Sequence, residues 1–133
     1  MLRGKIFICL LLGLLLAAGC GKKEENLENI EFTVLPEEQI PEQLRLMIEE
    51  RKEAPFELSY QDGDLLYLAV GYGTQDSGGY SIQVPAFYRT ENELVLDTEL
   101  LGPQTKPSGA EAAKSCPYIV IMTEFRDEPI RYE

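Results

Sequence analysis

Few side chains in this sequence have the types and spacing that catalysis needs. The 133 residues contain no His, which removes the commonest general base, the usual zinc ligand and every Ser-His pair. There is no Gly-x-Ser-x-Gly, no Ser-x-x-Lys and no phosphate-binding Walker motif. Asp62 and Asp64 flank a hairpin glycine, and their spacing is not that of a calcium loop. The sequence therefore predicts a protein that is not an enzyme and needs neither a metal nor a cofactor.

One cysteine has a predicted covalent chemistry of a different kind. Arg3 and Lys5 precede an apolar run over residues 6–18, which is typical of a secretory signal peptide. The run ends in Leu16-Ala17-Ala18-Gly19-Cys20, which resembles the bacterial lipobox, although Ala17 stands where Leu is commoner. We expect removal of residues 1–19, lipid on Cys20 and a tether over 20–29. Two or more acyl chains, at ~0.8 kcal/mol per buried methylene, anchor a protein stably. The alternative is an ordinary cleaved signal peptide.

The remaining cysteine is predicted to be a packed thiol. Cys9 leaves with the signal peptide, so Cys116 stands alone and no disulfide forms within the domain. Cys116 has no His partner and precedes Pro117 at the mouth of an apolar strand, which disfavours a nucleophilic role.

The charge of the chain restricts its partners. The full sequence carries a net charge of −11, and removing residues 1–19 takes away two basic residues and no acids, leaving −13. Such a surface is repelled by nucleic acid and by anionic lipid. We therefore expect no binding to nucleic acid, and the signal peptide and lipobox predict an extracytoplasmic protein held to the cell membrane by its lipid.

Periodic patterns predict one small domain over residues 30–133. Pro41 is suited to begin a helix that runs to about Glu53. Alternating or fully apolar segments predict strands at 30–34, 56–60, 65–70, 79–89, 93–101, 118–122 and 130–132. Asp62-Gly63 predicts a type I′ hairpin, and Pro85 marks a bulge or an edge. The predicted fold is mostly β (α+β): an antiparallel β-sandwich or small barrel of six to seven strands with one packed helix.

Two connections between predicted strands are candidates for binding. Residues 71–79 contain four glycines, which favours either a wide turn with a bulge or a recognition loop anchored by Tyr72 and Tyr80. Residues 102–115, which lead into Pro117-Tyr118, are long for a hairpin connection, so that segment is predicted to be either functional or disordered.

These two segments carry a family resemblance. Residues 73–82 resemble the Gly-x-x-Pro-Thr-Gly-Gly-Tyr-Ser-Ile signature of the PrcB C-terminal domain, with Asp76-Ser77 in place of Pro-Thr. Segments 100–103 and 117–121 resemble its later Gly-Pro and Pro-Tyr-Ile-Val elements. The resemblance implies a non-catalytic lipoprotein that assembles with, or stabilises, a surface-exposed protease. The candidate partner-binding residues are Tyr72, Ser77, Gly78, Gly79, Tyr80, Pro117 and Tyr118.

Other functions are compatible with the same features. The Gly-Gly-Tyr loop followed by Pro-Tyr also resembles chagasin-like protease inhibitors, which present two such loops side by side on a β-sandwich. An envelope structural or ligand-binding lipoprotein is a further alternative, although the chain has no Trp to stack on sugars. A hydrolase would have to work with carboxylates alone. The expected partner is an extracytoplasmic protease or another envelope protein.

Overall fold

The architecture was determined from a computed structural model that describes residues 26–133. The predicted signal peptide 1–19, the lipidation site Cys20 and tether residues 21–25 lie outside the described residues. Over the described range, no helix is both long and apolar enough to cross a membrane.

Residues 26–133 form two four-stranded sheets that pack as a β-sandwich, with one α-helix on the outer face of the second sheet. The first sheet has the strand order β1-β5-β6-β8 and the second β2-β7-β4-β3. All neighbouring strands are antiparallel except β6 and β8, and the sheets do not close into a barrel in this part of the chain. The elements are β1 (Glu28–Asn29), β2 (Thr33–Val34), α1 (Glu42–Arg51), β3 (Pro55–Asp62), β4 (Leu65–Tyr72), β5 (Ser81–Arg89), β6 (Leu94–Leu101), β7 (Tyr118–Glu124) and β8 (Ile130–Tyr132), with 3-10 turns at Glu37–Gln39 and Gly109–Ala112.

The second sheet is buried on both faces, which explains why its central strands read as continuous apolar runs. In β4, Leu66 and Leu68 face the first sheet, whereas Tyr67 and Ala69 face the helix, because successive strand residues point to opposite faces. β7 has the same double burial beside β4. The predictions of central strands at 65–70 and 118–122 are confirmed.

The helix packs on the outer face of the second sheet through a narrow apolar stripe. Pro41 precedes its first residue, and the side chains of Leu44 and Ile48 are fully buried against the second sheet. Pro41, predicted as the first helical residue, is the N-cap, so α1 begins one residue later, at Glu42, and ends at Arg51, two residues before the predicted end.

The N-terminal strand prediction needs a correction. The alternation of Ile30, Phe32 and Val34 predicted one strand, but the chain crosses between the sheets here and forms two short strands. Ile30 and Phe32 pack in the core between the sheets, while Val34 is 51% exposed at the edge of the second sheet. This crossing raises the number of strands from the predicted six or seven to eight.

The predicted hairpin turn also has a different type. β3 and β4 are joined by Gly63-Asp64, and Asp62 pairs with Leu65. Positive φ occurs at Gly63 (60°) but not at Asp64, which is the pattern of a type II′ turn and not of the predicted type I′. The bulge expected at Pro85 is present, since the β5–β6 register shifts between Gln83 and Ala86.

Candidate functional site: two adjoining loops

Both candidate binding segments lie at one end of the sandwich. β4 ends at Tyr72, and the glycine loop, residues 73–80, connects it to β5. β6 ends at Leu101, and the long loop, residues 102–117, connects it to β7. Because β4 and β7 are antiparallel neighbours, the end of β4 lies beside the start of β7. The topology therefore brings the two loops together.

Backbone hydrogen bonds join the two loops directly. Gln75 and Ser115 form an antiparallel β-bridge. The Gln75 N–H donates to Ser115 O with an N···O distance of 2.7 Å, and the Ser115 N–H donates to Gln75 O at 3.2 Å. The Gly78 N–H donates to Glu111 O at 2.7 Å. The Ser115 hydroxyl donates to Ser77 O at 2.6 Å. These contacts make the two loops one surface and hold the long loop in an ordered conformation. A binding role for the long loop stays a prediction.

The paired glycines of the signature lie in close contact with the long loop, most tightly at Gly79. Gly79 has a φ of 84°, and a Cβ at this position would lie 2.9 Å from Pro103 Cβ. A Cβ on Gly78 would lie 3.3 Å from Glu111 O. The Gly-Gly and Gly-Pro elements, which are more than twenty residues apart in the sequence, thus form one packing unit. The half-buried Tyr80 ring lies beside Gly102 and completes this unit.

Tyr72 lies behind the loop surface, between the two sheets. Its hydroxyl hydrogen-bonds Thr98 Oγ1 at 2.7 Å, which links the end of β4 to β6, and its ring packs on the core. Because its ring and its hydroxyl both make contacts between the sheets, Tyr72 stabilises the end of β4 from which the glycine loop begins. The structure thus places Tyr72 apart from Ser77, Gly78, Gly79 and Tyr80.

Pro117 and Tyr118 line a shallow groove on the helix side of the second sheet. The groove encloses about 330 Å³, and Cys116, Val34, Glu37 and Ile40 also line it. The Tyr118 hydroxyl donates to Glu37 Oε2 at 3.3 Å. Burial, together with the Glu37 carboxylate, raises the pKa of Tyr118 above its usual value. Pro117, the last residue of the long loop, and Tyr118, the first residue of β7, therefore lie at the border of the loop surface on the helix side.

The residues that hold the loops together include several that sequence patterns do not single out. Ser115 and Glu111 lie outside the quoted motifs, and Thr74 occupies a position that the glycine signature leaves unspecified. The Thr74 hydroxyl donates to Glu53 O at 3.2 Å and lies 3.5 Å from Cys116 Sγ, so it ties the glycine loop to the end of the helical segment and to the half-buried thiol. Only Pro103 carried a signal, as part of the Gly-Pro element.

The two loops carry charges of both signs, Asp76 and Glu111 against Lys106 and Lys114. The sequence has no Lys or Arg from residue 53 to residue 88, a range that covers β3, β4 and the glycine loop. The acids of the described chain do not converge: no three His, Cys, Asp or Glu side chains between residues 26 and 133 are grouped to hold a metal ion. The arrangement is suited to binding another protein through loop backbone and a Tyr ring.

Comparison with known proteins identifies the segment that carries the loops. Residues 66–124 match the family model described as PrcB C-terminal. The match begins in β4 and ends with β7, so both loops lie inside it. The resemblance predicted from the sequence is confirmed for this segment. Searches of curated proteins and of solved structures produced no match.

Proposed function

From the match of residues 66–124 to the PrcB C-terminal family, we propose that this protein is a membrane-anchored, non-catalytic subunit of an extracytoplasmic protease complex. Lipid on Cys20 holds it to the membrane, and the adjoining loops bind the peptidase or its scaffold. The observation that carries the proposal is that the residues bearing the family signature form one packed surface.

The position of the N-terminus supports an outward-facing role for this surface. β1 pairs with the last residues of β5, since Glu28 lies opposite Arg89, whereas the glycine loop precedes the first residue of β5. A strand of nine residues spans roughly 26–30 Å. A tether that leaves from Glu28 therefore leaves the end of the domain opposite the loops, and the loops point away from the membrane.

The chemistry of the loop surface supports binding of protein and not of a small molecule. Two loops of different strands contribute to it, and Tyr80 is a half-buried aromatic side chain beside Gly102 of the long loop. Aromatic residues of this kind are enriched among the energetically dominant contacts of protein interfaces. Because a rigid sandwich holds the loops, they lose little conformational entropy when they bind a partner.

Side-by-side loops also favour a second candidate. Chagasin-like inhibitors present a glycine-aromatic loop next to a proline-aromatic loop, and the glycine loop and the Pro117 end of the long loop are neighbours in this fold. Under this alternative, the loops enter the cleft of a peptidase and block it, so addition of the protein lowers peptidase activity.

The decisive experiment is capture of partners from the membranes of the host with the full-length lipidated protein. We expect a secreted peptidase, identified by mass spectrometry, to co-purify with the wild type and to be lost with Tyr80→Ala. Tyr88→Ala is the matched control, because Tyr88 is also half-buried but lies at the opposite end of β5.

The outcomes separate the candidates. Capture of a peptidase that remains active supports the assembly role, and capture of one whose activity falls in proportion to the added protein supports the inhibitor role. Failure to capture a peptidase under conditions that preserve membrane complexes would contradict both.

A further inference from the structure

β3 is the longest unpaired edge of the sandwich. It has eight residues and pairs on one side with β4, and no described strand lies on its other side. The other three outer strands, β1, β2 and β8, have two or three residues each. A long free edge is a template for pairing with another chain, and natural proteins usually shorten or block such edges.

The register shows which backbone groups of β3 are free. The Tyr72 N–H donates to Pro117 O, on the β7 side of β4. Because the bonding direction alternates along a strand, Gly71, Ala69 and Tyr67 point their backbone groups toward β3. Their partners are Phe56, Leu58 and Tyr60. The N–H and C=O groups that point outward are therefore those of Glu57, Ser59 and Gln61, and no backbone partner for them lies within residues 26–133.

The free edge is acidic and borders a cleft. Glu57 and Asp62 lie on β3, Glu53 precedes it and Asp64 follows it, in a range without Lys or Arg. Between β3 and the end of β8 there is a cleft of about 440 Å³, lined by Glu57 and Glu133 among others. A basic side chain that enters the cleft from an added strand would meet the Glu57 carboxylate, whereas the Glu133 carboxylate already forms an ion pair with Arg131.

The opposite face of β3 is apolar. Phe56, Leu58 and Tyr60 are half-buried and pack against the core on the helix side. A strand added to β3 would place every second side chain beside this row and the others in or over the cleft. The edge thus has two different recognition surfaces at the spacing of a β-strand.

We propose that the free edge of β3 binds an extended segment of a partner protein in which Lys or Arg alternates with apolar residues. Main-chain hydrogen bonds to Glu57, Ser59 and Gln61 extend the sheet, the basic side chains reach Glu57, and the apolar ones extend the row of Phe56 and Leu58. The strand-binding groups of Glu57, Ser59 and Gln61 lie outside the two loops, which contact only the residues at the start of β3, so the inference does not depend on what the loops bind.

The acidic charge of the edge favours a basic segment of a partner protein over β3 of a second copy of the chain. Pairing β3 with β3 of another copy would bring the acids of both chains to one edge with no Lys or Arg between residues 53 and 88 of either. Like charges across a strand pair are unfavourable, so the acids that oppose self-pairing favour a basic strand.

The test uses the full-length protein in detergent micelles and a fluorescent peptide in which Lys and Val alternate, with affinity measured by fluorescence anisotropy. We expect saturable binding that weakens about tenfold or more with Glu57→Lys and changes much less with Glu91→Lys. Glu91 is an exposed acid in the β5–β6 turn, so both variants change the net charge equally.

A second probe separates strand addition from simple charge attraction. The same peptide with N-methyl groups on alternate amides keeps its charge and loses the donors on one edge. We expect methylation on one of the two sets of alternate amides to abolish binding and methylation on the other to leave it intact. Equal binding of both methylated peptides, equal loss with Glu57→Lys and Glu91→Lys, or dimerisation of the protein through β3 in sedimentation experiments would overturn the proposal.

Discussion

Gly79 and Gly63 share a backbone conformation but differ in their surroundings. Gly79 has a φ of 84° and Gly63 a φ of 60°, so any L side chain at either position is strained. A Cβ on Gly63 would meet nothing within 4 Å, whereas one on Gly79 would lie 2.9 Å from Pro103 Cβ. The pair therefore separates backbone strain from contact between the loops.

We predict that Gly79→Ala destabilises the protein more than Gly63→Ala. The left-handed conformation costs about 1–2 kcal/mol for a residue with a Cβ. Overpacking against Pro103 adds about 1–3 kcal/mol at Gly79 only. Urea unfolding followed by circular dichroism measures both losses. In a Pro103→Gly background the additional loss at Gly79 should disappear, and equal losses in both backgrounds would contradict the contact.

Gly71 is needed for a different reason, because the Phe56 ring lies directly over it. A Cβ at this position would fall 2.1 Å from Phe56 Cε2, and Gly71 is not among the glycines with positive φ. The two residues are directly paired between β3 and β4. The absent side chain thus provides the space in which an aromatic ring of the edge strand is half-buried.

Gly71→Ala is predicted to destabilise the fold by about 1–3 kcal/mol, since the ring must leave its position. Chemical denaturation of the variant checks this value. The same substitution in a Phe56→Ala background should be close to neutral relative to that background. A full loss in both backgrounds would show that Phe56 is not the cause.

At the scale of elements, the two loops depend on each other more than on the core. The long loop contributes little buried apolar surface, since residues 108–114 are all exposed. Its order comes from polar contacts to the glycine loop, chiefly the Gln75–Ser115 bridge and the bonds to Ser77 O and from Gly78 N. Loosening one loop is therefore expected to loosen the other.

Ser115→Ala is predicted to destabilise the loop pair by about 1 kcal/mol through loss of the hydroxyl donor to Ser77 O. Amide hydrogen exchange at Gln75 and Gly78, which lie in the other loop, should accelerate severalfold. Ser108→Ala is the matched control, because Ser108 precedes the 3-10 turn of the same loop without capping it through its side chain. Acceleration by both variants alike would argue against the specific contact.

At the scale of the whole molecule, tyrosine hydroxyls connect the two sheets where strands do not. Tyr72 reaches Thr98 from the second sheet to the first, and the Tyr132 hydroxyl donates to Leu58 O at 3.3 Å from the first to the second. Burial, with a further contribution from the Glu57 carboxylate, raises the pKa of Tyr132 to about 12. The folded protein therefore keeps this proton in a range where an unfolded chain releases it.

This shift predicts a loss of stability at alkaline pH. Below the unfolded pKa of about 10 the contribution is fully present, and it disappears as the pH rises from about 10 to about 12. The loss should be about 1–2 kcal/mol, because partial exposure screens the shift. The free energy of unfolding, measured by chemical denaturation at several pH values across this range, should fall less steeply for Tyr132→Phe, which has no ionisable hydroxyl. Parallel decline of wild type and variant would contradict the assignment.

The sequence by itself determined the elements whose patterns reflect local physics. Runs of residues that are apolar on both strand faces predicted the central strands β4 and β7. Pro41 predicted the start of α1 to within one residue, and Pro85 predicted a bulge or an edge in β5, where the bulge is present. The family signature predicted which segments carry the candidate site. Each of these follows from side-chain periodicity, proline geometry or a contiguous motif, and none depends on what lies across the fold.

Tertiary structure alone decided the features that depend on distant partners. The crossing that splits the strand at Ile30–Val34 depends on which sheet each half joins, and an alternating pattern is the same in either sheet. Likewise, only packing reveals that Tyr72 supports the core while Tyr80 lies on the loop surface, although both flank the same glycines. Adjacency of Gly79 and Pro103, and of Ser77 and Ser115, arises because antiparallel strands bring the two loops to one end.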